Sequence, residues 1–212
     1  MNLDVVLHGL AETGQHIITN AGAFASLAGG IAAVVGTLLA WRGVNTWKRE
    51  YLFKINSELL EEALVLFYQA EHAIAYLRNG FIFTKELDNF EFPQNMEDGY
   101  SKDMYKYTFT IHKRFDEKQE IFDKLYAIEL RFRARFRREP TDEFASMKEL
   151  AKLLLLAASQ YALKDLDKDR IQELKRVIWQ PYDPKDAFGC RVTKVISAFE
   201  TRCDKLMCGR SR

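Results

Sequence analysis

Five arginines fall within eight residues, at Arg131, Arg133, Arg135, Arg137 and Arg138. Guanidinium groups at this density suit phosphate, whether on an anionic lipid headgroup or on RNA. On a helix, Arg131, Arg135 and Arg138 project away from the Phe132/Phe136 face, which makes these three the candidate anion-binding residues, with Arg133 and Arg137 flanking. Glu129 and Glu139 offer a plainer use for the same charges, a solvated face laced with ion pairs. A second cluster is acidic: Glu58, Glu61, Glu62 and Glu71, with His72 adjacent. Helical di-metal sites take Glu-x-x-His motifs from two helices. No Glu-x-x-His occurs here, since His72 directly follows Glu71 and His112 has no Glu three residues before it. The acids read as an exposed face and His112, beside Lys113 and Arg114, as a surface or edge histidine. Nucleophile-elbow and phosphate-loop motifs are absent as well. No catalytic, metal or cofactor-binding residue is assigned, and no cofactor is expected.

Composition narrows the classes further. The chain has 212 residues with 31 basic and 30 acidic side chains. Setting aside Asp4 and Glu12 leaves residues 42–212 with a net charge of about +3, too balanced for bulk nucleic-acid binding. Cys190, Cys203 and Cys208 are odd in number and lack the C-x-x-C pairing of metal sites, so they read as reduced thiols.

The elements that must position these residues are helical. From Asn45 or Thr46 to Asn79, Leu52, Ile55, Leu59, Leu66, Ala70, Ala73 and Leu77 form one apolar stripe. Asn79-Gly80 reads as its C-cap. Residues 80–102 are irregular, with Phe81, Phe83, Phe90 and Phe92 among charges and turn residues, and read as a loop pinned by its aromatics. A second helix is expected over 102–138, with Met104, Tyr107, Ile111, Phe115, Phe122, Leu125, Phe132 and Phe136 inward, ended by Glu139-Pro140. Thr141 or Asp142 caps a third through about Lys164, with Phe144, Met147, Leu150, Leu154 and Tyr161 inward. Its run Leu153–Leu156 suggests burial on most sides. A shorter helix covers about 168–179. Asp183-Pro184 opens a last helix to about Met207. The fold class expected is all-α, an antiparallel bundle of four to five helices.

Ahead of that bundle, no Asp, Glu, Lys or Arg occurs between Glu12 and Arg42, and residues 17–41 are nearly all apolar or small. Twenty-five residues of helix are about 37 Å long, against a hydrocarbon core of about 30 Å. The sequence therefore leads us to expect a single transmembrane helix at 17–41, a short extracytoplasmic segment at 1–16 and a cytoplasmic domain at 42–212. The first 41 residues hold no Lys or Arg while Arg42, Lys48 and Arg49 follow, which sets the orientation. Trp41, Arg42, Trp47, Lys48 and Arg49 would anchor the membrane interface, and the lipid bilayer, in the setting of a bacterial inner membrane, would be the first partner. A cleaved signal peptide fits less well, because the leading segment is acidic and no cleavage site follows the apolar run. Within the segment Gly22, Ser26 and Gly30 are four apart, as are Ala25, Gly29 and Ala33, and Ala32, Gly36 and Ala40. Such rows let helix backbones approach closely and imply a homo-oligomer.

The layout of one small-residue span followed by Trp47-Lys48-Arg49-Glu50 and a long helix resembles uncharacterised bacterial single-span proteins. It is also similar in outline to the membrane accessory protein of type VI-B CRISPR systems. That resemblance implies membrane-associated assembly in phage defence and a link to the HEPN helical class. The ribonuclease motif of that class, an Arg followed four to six residues later by His, is absent before His72 and His112. The function expected is a self-associating interaction or effector protein in phage defence or stress response. It would present its helical bundle to a protein partner, and an RNA-binding or nuclease domain using Arg131–Arg138 is the alternative.

Overall fold

The computed structural model describes residues 3–88, 90–93, 99–137, 139–179 and 186–208, and for 3–29, 31 and 32 it describes the backbone alone. The described residues form five α-helices: α1 (Leu3–Leu77), α2 (Lys102–Arg135), α3 (Asp142–Tyr161), α4 (Lys168–Ile178) and α5 (Ala187–Cys208), with a 3₁₀ turn at Thr84–Leu87. The chain divides into two compact units, Met1–Lys54 and Ile55–Arg212.

In the first unit, the expectation of a membrane helix is overturned. No helix among the described residues is long and apolar enough to cross a membrane. The described apolar run, Ala33–Trp41, measures about 14 Å before Arg42 interrupts it. Lys48, Arg49, Glu50 and Lys54 then follow within the same helix. The transmembrane helix at 17–41, the extracytoplasmic 1–16, and single-pass placement in a bacterial inner membrane are corrected accordingly. Trp41, Arg42, Trp47, Lys48 and Arg49 lose the role of membrane-interface anchors, and Gly30, Ala33, Gly36 and Ala40 that of packing within a bilayer. Gly22, Ser26 and Gly29 lie outside the described side chains.

The second unit is the all-α bundle that the helical periodicity implies. Its core takes Leu59, Ala63, Phe67, Ala70, Ile74 and Leu77 from α1 and Ile111, Leu125, Ile128 and Phe132 from α2. α3 adds Phe144, Met147, Leu150 and Leu154, and α5 adds Val192, Ile196 and Phe199. Pairs along the helices fix their directions. Asn79 meets Arg114 and Asn56 meets Arg135, so α1 and α2 are antiparallel. Thr108 donates to the Ala158 carbonyl while Lys148 bonds Glu129, so α2 and α3 are antiparallel as well. Four rings from four helices meet at the centre. Phe67 stacks on Phe199 at 4.2 Å and meets Phe144 at 5.0 Å, and Phe132 meets Phe144 at 5.5 Å. Offset and edge contacts of this kind add to what area burial alone supplies.

Helix ends differ from the expectation in instructive ways. α1 stops at Leu77, and Gly80 does not adopt the left-handed conformation of a glycine cap. The Tyr76 and Asn79 carbonyls instead accept from Arg114 Nη1, at 3.4 and 2.6 Å. Thr141 precedes α3 without a side-chain cap bond. Asp167 caps α4 by accepting from the Arg170 N–H at 2.6 Å. Asp183-Pro184 lies outside the described residues, and the Asp186 carboxylate accepts the Phe188 and Gly189 N–H groups in the first turn of α5. A Cβ at Gly189 would collide with that carboxylate, so a side chain there would push Asp186 away from the helix end and from Arg78. Leu154 is buried but Leu156 is 52% exposed, so the leucine run has an outer side after all. Of the four loop phenylalanines, Phe90 and Phe92 pack on Tyr105, whereas Phe81 and Phe83 point outward.

Candidate interaction surface

Large apolar side chains stand in the open along the first unit. Val34 is 62% exposed, Leu38 57%, Trp41 66%, Val44 61% and Trp47 66%. At 100° per residue these positions point to widely different sides of the helix. Soluble helices carry their apolar residues on one stripe, whereas a helix apolar on all sides is found buried. Trp47 and Tyr51 stack on each other at 5.8 Å between centroids, an i,i+4 pair left facing outward. A Cβ added to Gly30, Gly36 or Gly43 would meet nothing within 4 Å. Backbone at those glycines is therefore open to close approach from outside the chain. Arg42, Lys48 and Arg49 are exposed along the same stretch.

The arginine cluster lies at the C-terminal end of α2, and three of its charges, those of Arg131, Arg133 and Arg135, have partners. Arg131 Nη1 donates to both carboxylate oxygens of Glu62, each at 2.8 Å. Arg135 donates through Nε to the Asn56 side-chain carbonyl. Arg133 lies 3.8 Å from Glu129, which also holds Lys148 at 2.6 Å. Arg138 lies outside the described residues. Arg131 and Arg135 are thus brought to one side of α2 but spent on α1. The acidic face is exposed at Glu58, Glu61 and Glu62, with His72 exposed beside it. Among the described residues no group of three or more His, Cys, Asp or Glu is placed to hold a metal ion.

His112 bridges to α3 through Nε2 and the Ser159 hydroxyl, 3.1 Å apart, while that hydroxyl donates to the Leu155 carbonyl at 3.0 Å. The pair is a strut between α2 and α3. Burial pushes the His112 imidazole below its ordinary value, against the pull of Asp116. Cys203 is buried and its thiol is pushed up to about 12, while Cys190 and Cys208 are exposed and free.

Two arginines with no distinguishing motif in the sequence are the most committed polar groups in the bundle. Arg114, 1% exposed, donates to Glu86 Oε1 at 2.6 Å and Oε2 at 2.9 Å, and to the Asn79 and Phe81 carbonyls. Arg78, 2% exposed, donates to the Arg176, Val177 and Trp179 carbonyls at 2.8–3.1 Å and to both oxygens of Asp186. Each guanidinium places positive charge on the carbonyl end of another helix, α1 for Arg114 and α4 for Arg78, where the helix dipole is negative. Arg114 holds the Glu86 carboxyl below its ordinary value, and burial opposes it. For Asp186 burial raises the carboxyl and the Arg78 bond, with backbone N–H groups, outweighs it. These residues position the 78–88 loop and the α4–α5 corner. They do not form an open site. A lone arginine inside a helical pattern carries no mark of this role in the sequence.

No protein-family model, no curated protein and no solved structure matches this chain.

Proposed function

We propose that this chain is a self-associating interaction protein: the helical segment 30–54 joins copies of the chain, and the Ile55–Arg212 bundle is what the assembly presents to a protein partner. The observation that carries the reading is the set of exposed apolar side chains, Val34, Leu38, Trp41, Val44 and Trp47, spread over about half the circumference of a helix whose Gly30, Gly36 and Gly43 meet nothing within 4 Å. Contiguous apolar surface beyond a few hundred Å² marks association sites, and small residues among large ones let helices pack closely. The alternative, RNA binding through Arg131, Arg135 and Arg138, has Glu62 and Asn56 already seated on the first two. The setting we propose is phage defence or stress response. It rests on the resemblance at Trp47–Glu50 alone, now that the spanning helix is corrected.

Sedimentation equilibrium on the purified full chain tests the reading. We expect an oligomer, and we expect Gly36→Leu and Gly29→Leu to weaken it by about tenfold or more while leaving the bundle's near-ultraviolet dichroism intact. A wild-type monomer at all concentrations, or variants that assemble like wild type, would sink the proposal. Survival of bacteria carrying the gene under phage challenge tests the setting separately.

A further inference from the structure

The last helix of the bundle, α5, turns one stripe of side chains to solvent. Its inward side is taken by Phe188, Val192, Ile196, Phe199 and Cys203, all buried. Cys190, Lys194, Ser197, Thr201, Asp204 and Cys208 are exposed. At 100° per residue these six fall within about 40° of one line, with the two cysteines at its ends, about five whole turns apart. A disulfide needs its Cα atoms within about 7 Å, whereas about 27 Å of helix separates Cys190 from Cys208. Cys203 lies on the inward side, 2% exposed. A disulfide made by either exposed thiol therefore goes to another molecule.

We propose that oxidation joins two copies of this chain through α5, packed antiparallel about a twofold axis at the level of Phe199, with Cys190 of each copy bonded to Cys208 of the partner subunit. The pairing that aligns the thiols also aligns the charges, setting Lys194 beside Asp204 of the partner subunit on both sides of the axis. A parallel pair would set each charge against its like. Between the charges Ser197 stands opposite Thr201 of the partner subunit, and residues this small let the axes lie about 10 Å apart. With Cα atoms about 2.3 Å from each axis, facing Cα atoms are then about 5.4 Å apart, inside the disulfide range. The contact uses the same surface on both copies, so it closes at two.

The stripe is polar, so it sets the register without holding copies together while the thiols are reduced. A peroxide is the oxidant. The thiolate of one cysteine takes a peroxide oxygen to become a sulfenic acid, releasing hydroxide, which takes up the proton that thiol lost. The thiol of the other subunit attacks the sulfenic sulfur, the S–S bond forms and water leaves. For each disulfide two electrons pass from sulfur to one peroxide, which ends as two waters. The stripe belongs to the Ile55–Arg212 unit, so this contact is separate from assembly through segment 30–54.

Stoichiometric hydrogen peroxide on the full chain, followed by non-reducing electrophoresis and tryptic mapping, tests the proposal. We expect a covalent dimer whose linked peptides join Cys190 to Cys208. Cys190→Ser and Cys208→Ser should each lower its yield by about tenfold, and mixing the two variants should restore a dimer held by one bond. Lys194→Asp should slow cross-linking by about fivefold, and adding Asp204→Lys to it should recover the rate. Links between like cysteines, or single-cysteine chains that dimerise as fast as wild type, would overturn the antiparallel register. Monomers carrying sulfinic or sulfonic acid in place of dimer would overturn the contact itself. Gly36→Leu chains should cross-link as wild type does, which reads this contact apart from the other. A cross-link lost in those chains would overturn its independence.

Discussion

Arg114 is the residue on which the loop side of the bundle depends. It satisfies the carbonyl end of α1, pairs with Glu86 and lies 5.3 Å from the Tyr76 ring centroid, all while 1% exposed. Removing one partner of a buried pair leaves an uncompensated charge and costs about 3–5 kcal/mol. Arg114→Leu should lower stability by that amount in urea titration, while Arg131→Leu, which removes a half-exposed ion pair with Glu62, should cost under about 1 kcal/mol. Glu86 gives a pH test. Its carboxyl is lowered in the folded chain, chiefly by the Arg114 bond. The stability it adds is present above the unfolded-state value and is lost as pH falls through the folded one. We expect the urea midpoint to drop as pH is taken below about 4.5, and Glu86→Gln to show a shallower acid decline. An equal decline in both would show that the pair contributes nothing to the acid limb.

At the scale of elements, four helices meet through the rings of Phe67, Phe132, Phe144 and Phe199. Helices of this composition owe their stability to such packing more than to propensity. Phe67 is fully buried and touches two other rings. Phe67→Ala should cost about 3–5 kcal/mol through lost burial and the cavity left behind, read from the same titration. Phe81→Ala, on a ring 64% exposed, should change stability little. The inward stripes of α1, α2 and α3 were legible in sequence because apolar residues recur at the helical period. Leu156 was not, because four successive leucines carry no period to say which one faces out. The end of α1 was misread for a related reason. Asn79-Gly80 has the composition of a glycine cap, but the carbonyls are met by an arginine 35 residues away.

For the whole molecule, the division at Lys54 separates a core-forming bundle from a helix on which the described large apolar side chains, Val34 to Phe53, are exposed. A unit of this size with a continuous core is able to fold alone. The fragment 55–212 should therefore show a single cooperative urea transition and sediment as a monomer. A broad, non-cooperative transition would mean that the bundle needs the preceding segment. The apolar run at 17–41 reads as a membrane span on hydropathy, yet no helix among the described residues is long and apolar enough to cross one. The charges from Arg42 onward lie on the same helix, and the described apolar run before them is too short to cross.

The order of apolar, small and charged residues by itself determined that the chain is helical, roughly where each helix lies and which face turns inward, since those follow from a local repeat of 3.6 residues. Tertiary structure alone decided that Arg78 and Arg114 would cap helices distant in sequence and that Arg131 and Arg135 would be taken up by α1. It also left the large apolar side chains between Val34 and Phe53 exposed. Contacts between segments far apart in the chain leave no periodic mark in the sequence, and a guanidinium reads the same whether it ends in water or on another helix's carbonyls.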